Sequence, residues 1–222
     1  MTTRLQLYNG ALGLCGDTRL ATLDENREAR HLLDLAWNNG AVRACLEQAQ
    51  WKFAMRSKRF DYDATIVPEF GFQRAYEKPS DWVATSGIFS DDYMRQPLTL
   101  YADEAGFWYC DNSEIFVRFV SDHADYGGDL SAWPATFCDY VEAYLAGKIA
   151  FKSPGAAEKV VFLHGPAGRP DRGFIHAKLL IAKNKDAMAG PATFPTRGTW
   201  AQARHRGRSG RSDGGSTSNL IG

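Results

Sequence analysis

The chain has no apolar run approaching the roughly 20 residues that cross a bilayer as a helix. Its start, Met1-Thr2-Thr3-Arg4, leads straight into a short amphipathic segment, and neither a secretory leader nor a membrane span is expected. Paired cysteines are missing too. Cys15, Cys45, Cys110 and Cys138 stand far apart, with no C-x-x-C and no His at zinc-ligand spacing, which predicts four reduced, mostly buried thiols in a cytosolically made protein. No charge sign dominates either, because 26 Lys and Arg balance 26 Asp and Glu. No general pull toward nucleic acid or membrane follows.

Catalytic and cofactor motifs are equally scarce. The string Gly165-Pro166-Ala167-Gly168-Arg169-Pro170 lacks the Gly-Lys-Ser/Thr end that would put an ammonium and a hydroxyl on phosphate and Mg²⁺, so it reads as a loop. Gly10, Gly13 and Gly16 form G-x-x-G-x-x-G after a helix-like segment, not the dinucleotide fingerprint after a strand, and read as a helix stop. His31, His123, His164, His176 and His205 are dispersed, without a second ligand at helical spacing. Asp139 and Glu142 could in principle serve as paired carboxylates, but they lie off an apolar helical stripe and read as a solvated face. No enzyme, cofactor or metal site is therefore expected.

What is present is enough chain, 222 residues, to bury a core unaided. Leu5, Leu7, Tyr8, Ala11, Leu12 and Leu14 mark a first short helix ending near Gly13 to Gly16. Thr22-Leu23-Asp24-Glu25 fits a capping box and predicts a long helix over about 23–50, continuous through Asn38-Asn39-Gly40. From Arg59 to His123 the texture changes to short aromatic and β-branched runs: Leu98–Tyr101, Phe107–Tyr109 and Ile115–Val120. Turn residues separate them, as in an antiparallel meander.

Pro134 then opens a helix carrying Phe137, Tyr140, Val141, Tyr144, Leu145 and Ile149, since proline is tolerated in a first turn. Residues 153–173 read as a loop, and a further helix from about 172 to 189 carries Phe174, Ile175, Leu179, Leu180 and Met188 before Gly190-Pro191 ends it. After Pro195 the chain turns polar and basic, with Arg197, Arg204, Arg206, Arg208 and Arg211 against the single acidic Asp213. Such a segment is expected to be disordered in an isolated monomer and to order on a partner.

The expected fold class is thus α+β. A mainly α-helical bundle, residues 1–58 and 130–190, is interrupted by an antiparallel β-hairpin or meander portion, 59–129, and followed by an extended basic C-terminal tail, 191–222.

Several segments resemble bacteriophage head-to-tail adaptor proteins of the tail tubular protein A type. They are Leu7-Tyr8-Asn9-Gly10-Ala11-Leu12 with Leu14 and Gly16, Ala29-Arg30, Ala49-Gln50-Trp51-Lys52-Phe53-Ala54 and Lys78-Pro79-Ser80-Asp81. Trp133-Pro134 with Phe137, Tyr144-Leu145-Ala146 and Ile149-Ala150 follow, then Lys185-Asp186-Ala187-Met188, Phe194-Pro195 and Gly198-Thr199-Trp200. They run in the family's order over most of the chain, and residues 153–173 match least.

The resemblance implies a structural virion protein, made in the host bacterial cytoplasm. It implies a homo-oligomeric, dodecameric ring that joins the portal protein to the tail tube or nozzle protein and extends the channel for double-stranded DNA. Tail fibres are a further implied partner, and a membrane is not one. By this resemblance the C-terminal segment reaches the portal, with Phe194, Trp200, Arg204, Arg206, Arg208 and Arg211 as candidate contacts. Two alternatives stand beside it. One is a virion-associated peptidoglycan hydrolase built on the available carboxylates; the other is a DNA-binding module using the Arg-rich tail.

Overall fold

A capping box starts the first helix. In the computed structural model, which describes residues 2–69, 71–153 and 155–190, the Gln6 N–H donates to the Thr3 hydroxyl and the Thr3 N–H donates to the Gln6 side chain. Two otherwise orphaned amides are thereby satisfied, and α1 runs Arg4–Leu14. Gly16, at φ +64°, stops it, as the glycine spacing suggested.

The long helix expected over 23–50 does not form. Residues 17–27 are held as a loop because the Arg27 guanidinium donates to the Thr18 and Arg19 carbonyls and to the Asp17 and Thr18 side chains. Glu25, the supposed capping carboxylate, accepts the Ala21 N–H instead. Helix α2 therefore begins only at Glu28 and ends at Asn38. Gly40, at φ +82°, breaks the chain before α3, Ala41–Leu46. The Asn-Gly turn signal wins over the apolar periodicity, because a left-handed residue cannot continue an α-helix.

Helix α4, Ala135–Ile149, follows Pro134 as expected and buries Phe137, Tyr140, Val141, Leu145 and Ile149. It is the central element, touching every other helix. The stretch 153–173 contains a helix the sequence reading missed, α5, Ala156–His164. The Gly/Pro string after it is irregular and closes with a 3-10 turn at Pro170–Arg172. The last helix, α6, spans Phe174–Met188.

Six strands occupy the middle of the chain: β1 Met55–Asp61, β2 Arg74–Glu77, β3 Trp82–Phe89, β4 Ala102–Glu104, β5 Phe107–Cys110 and β6 Glu114–Ser121. Strand β1 starts ahead of Arg59, where the texture change had been placed. They form two antiparallel three-stranded sheets, ordered β1-β6-β3 and β2-β5-β4. The architecture is α+β: helices, with antiparallel sheets inserted between α3 and α4. The expected strand at Leu98–Tyr101 is absent. Pro97 has no N–H to give a ladder, and past the Phe89–Pro97 bridge only the Leu98 N–H reaches the Ile88 carbonyl, 2.8 Å away.

Two apolar cores result. Tyr76 and Trp108 pack with Ile88, Ile115, Val117 and Phe119 between the sheets. A larger core gathers the helices, and Val83 and Val120 reach into it from β3 and β6. At the junction Arg56 donates to Asp81 at 2.7 Å, and the Ser121 hydroxyl donates to the same carboxylate. Burial pushes the Asp81 carboxyl up, but the Ser121 bond and the Arg56 charge outweigh it and hold it below the usual carboxylate range. Arg43 adds a second tie, to Asp122 at 2.7 Å. All four cysteines are free and buried, as expected.

Candidate assembly surface

Helix α6 is fixed at both ends. Lys52 donates its ammonium to the carbonyls of Asp186 and Ala187, 2.7 and 3.0 Å away, while its backbone N–H donates to the Asp186 carboxylate. A cation there complements the negative end of the helix dipole and satisfies carbonyls without intrahelical partners. Near the other end Lys178 bonds Asp139 of α4 at 2.7 Å.

The inner face of α6, Ile175, Leu179 and Ala182, packs into the helical core. A second stripe, Ala177, Leu180, Ile181, Asn184 and Met188, recurs at i, i+3, i+4, i+7 and i+11 and is exposed. Leu180, Ile181 and Met188 are 47%, 52% and 79% exposed. On α5 Leu163 is buried while Val161 and Phe162 face outward, 53% and 54% exposed. The Phe162 ring stacks on Phe174 with centroids 5.0 Å apart, so the apolar surface of α5 runs onto the first turn of α6. Large apolar side chains thus stand exposed on two adjoining helices, which makes this face a candidate interaction surface.

A second exposed apolar group sits on the connection between β3 and β4, residues 90–101. Tyr93 and Leu100 are 73% and 76% exposed there. The connection is built, because the Asp91 carboxylate accepts the Arg95 and Gln96 N–H groups and the Ser90 N–H donates to the Gln96 carbonyl.

The sequence-derived candidates fare unevenly. Phe194, Trp200, Arg204, Arg206, Arg208 and Arg211, like the whole tail 191–222, lie outside the described residues. His164 donates through Nε2 to the Gly147 carbonyl at 3.1 Å, His31 bonds the Asn26 side chain, and His123 lies beside Asp125. Among the described residues no group of three or more His, Cys, Asp or Glu could hold a metal ion. No helix there is long and apolar enough to cross a membrane.

Asp139 and Glu142 are not simply a solvated face. Asp139 is tied to Lys178, and the Glu142 carboxyl lies against Gly10 of α1, where even a methyl group would stand 2.2 Å from it. Burial, then the nearby Asp139 charge, push Glu142 up to about 7, with Lys178 pulling the other way. The outer face of α5 was missed with the helix itself. The signal was present in Val160-Val161-Phe162-Leu163, four apolar residues in a row that a helix cannot all bury on one side. A scan against models of known protein families and a search of curated proteins return no match.

Proposed function

We propose that this chain is a head-to-tail adaptor of a bacteriophage, a structural subunit that forms a ring joining the portal to the tail or nozzle and extending the DNA channel. The observation that carries this reading is the second apolar face of α6, continuous with α5 and left without a partner in the described residues. A subunit built to assemble needs such a surface, and ring closure needs it to meet a different face of the next copy.

The α+β arrangement and the order of the family-like segments support the same reading. Balanced charge suits a channel wall, where strong attraction would hinder passing DNA. The segment 191–222, with its arginines, is the part proposed to reach the portal. Deleting residues 196–222 is expected to abolish binding to a purified portal while leaving the circular dichroism and melting of the remainder unchanged. Undiminished portal binding by the truncated chain would count against the reading.

One observation favours the hydrolase alternative. A half-buried carboxyl that titrates near neutrality, as Glu142 does, is suited to general acid catalysis. A turbidity assay on cell walls separates the two: the adaptor reading expects no lysis, and lysis abolished by Glu142→Gln would favour the enzyme.

A further inference from the structure

A seam of small groups runs along the contact of α1 with α4. The Thr2 hydroxyl, just ahead of α1, stands 3.5 Å from the Cys138 thiol, Gly10 meets Glu142, and the Cys15 thiol donates to the Ala146 carbonyl at 3.5 Å. On α4 these positions recur at i, i+4 and i+8 and so share one face. Glu142 is the carboxyl in the middle of that row, placed where Gly10 leaves no room even for a methyl group.

The surrounding charges do little to hold a carboxylate there. Asp139, one turn back on α4, adds a like charge, and the Lys178 ammonium of α6 is bonded to Asp139. On α1 the guanidinium of Arg4 pairs with Asp34, and Arg19 lines a hollow beside Gly10 with Gln6 and Asn9. Burial pushes the Cys138 thiol up, so it adds no charge near neutrality.

We infer that Glu142 is a pH-sensitive latch of the α1–α4 seam: neutral, it lies closed against Gly10, and on losing its proton it opens the seam to water and uncovers Cys138. A carboxylate left in the closed seam is poorly hydrated and faces Asp139, and both costs are relieved when water enters. Helix α1 stays attached, because Arg4 is tied to Asp34 of α2 and the Lys159 ammonium of α5 donates to the Cys15 carbonyl. An opened seam releases the proton at about 4.5 and the closed one at about 7, where burial comes first among the causes and the Asp139 charge second. Opening is therefore favoured progressively between those values and changes little above them. The latch does not depend on the adaptor reading.

The four buried thiols supply the test, with Cys138 as reporter and Cys15, Cys45 and Cys110 as references. The full chain and Glu142→Gln are treated with dithiodipyridine, which reacts with thiols in acid as well as at neutrality, and each site is followed by mass spectrometry at pH 4 and pH 8. At pH 8 Cys138 is expected to react roughly tenfold or more faster in the unmodified chain than in the variant, with the references alike. At pH 4 the two proteins are expected to match. A second variant, Asp139→Asn, removes the like charge and is expected to slow Cys138 at pH 8 relative to the unmodified chain. Circular dichroism checks that both variants keep the fold. Equal Cys138 rates in the unmodified chain and Glu142→Gln at pH 8, or all four thiols accelerating together, overturn the latch.

Discussion

Glu142 shows how a single side chain can be set by packing that no local pattern reveals. Its place off the apolar stripe of α4 suggested a solvated carboxylate. That Gly10 of α1 lies against it is a tertiary fact, and Gly10 itself, read only as part of a helix stop, turns out to be where α1 and α4 approach closely. A carboxyl raised from about 4.5 unfolded to about 7 folded disfavours its charged form in the native state. The unfolded chain then gives up its proton first. The group's contribution to stability is full below the unfolded value and is lost as pH rises through about 7. Glu142→Gln is therefore expected to raise stability at pH 8 by about 1 kcal/mol, a figure reduced for the half exposure of the group. At pH 4 it should change little. Thermal melts at the two pH values check this, and an equal effect at both would refute the assignment. By contrast the four thiols were readable, because widely spaced cysteines without ligand partners have little to do but pack.

At the scale of elements, the helices with strong boundary chemistry were legible and those set by distant side chains were not. Pro134 and the apolar spacing of α4 gave its start and its buried face, and α6 was placed within a residue or two of its bounds. The 17–27 loop was misread because one guanidinium, that of Arg27, collects acceptors from Asp17, Thr18 and Arg19. A capping pattern in the sequence cannot weigh that competition. Helix α5 was hidden by the Gly/Pro string beside it, and the β-strands were placed by texture while their pairing, β1 with β6, was not. The α2–α3 break makes a testable case. A side chain at Gly40 must adopt φ +82°, so Gly40→Ala is expected to cost about 1–2 kcal/mol. Urea titration checks it, and a stabilised variant would mean that α2 and α3 can fuse.

For the molecule as a whole, the α+β layout followed from the switch between helical and alternating periodicities. The surface proposed for assembly was only half readable: Leu180 and Met188 were visible as apolar helix residues, but their outward direction depends on how α6 docks against α4. Basic composition alone points to the tail, and its six candidate contact residues lie outside the described residues. What unites these parts is a claim about assembly. In the proposed assembly the outer α5–α6 face meets copies of the chain and the segment 191–222 meets a larger partner. Native mass measurement of the full chain, alone and with a purified portal ring, tests that claim most directly. The account predicts a small species alone and a portal-bound ring of many copies when the portal is added. A mass that remains that of separate portal and free chain at every concentration would contradict it.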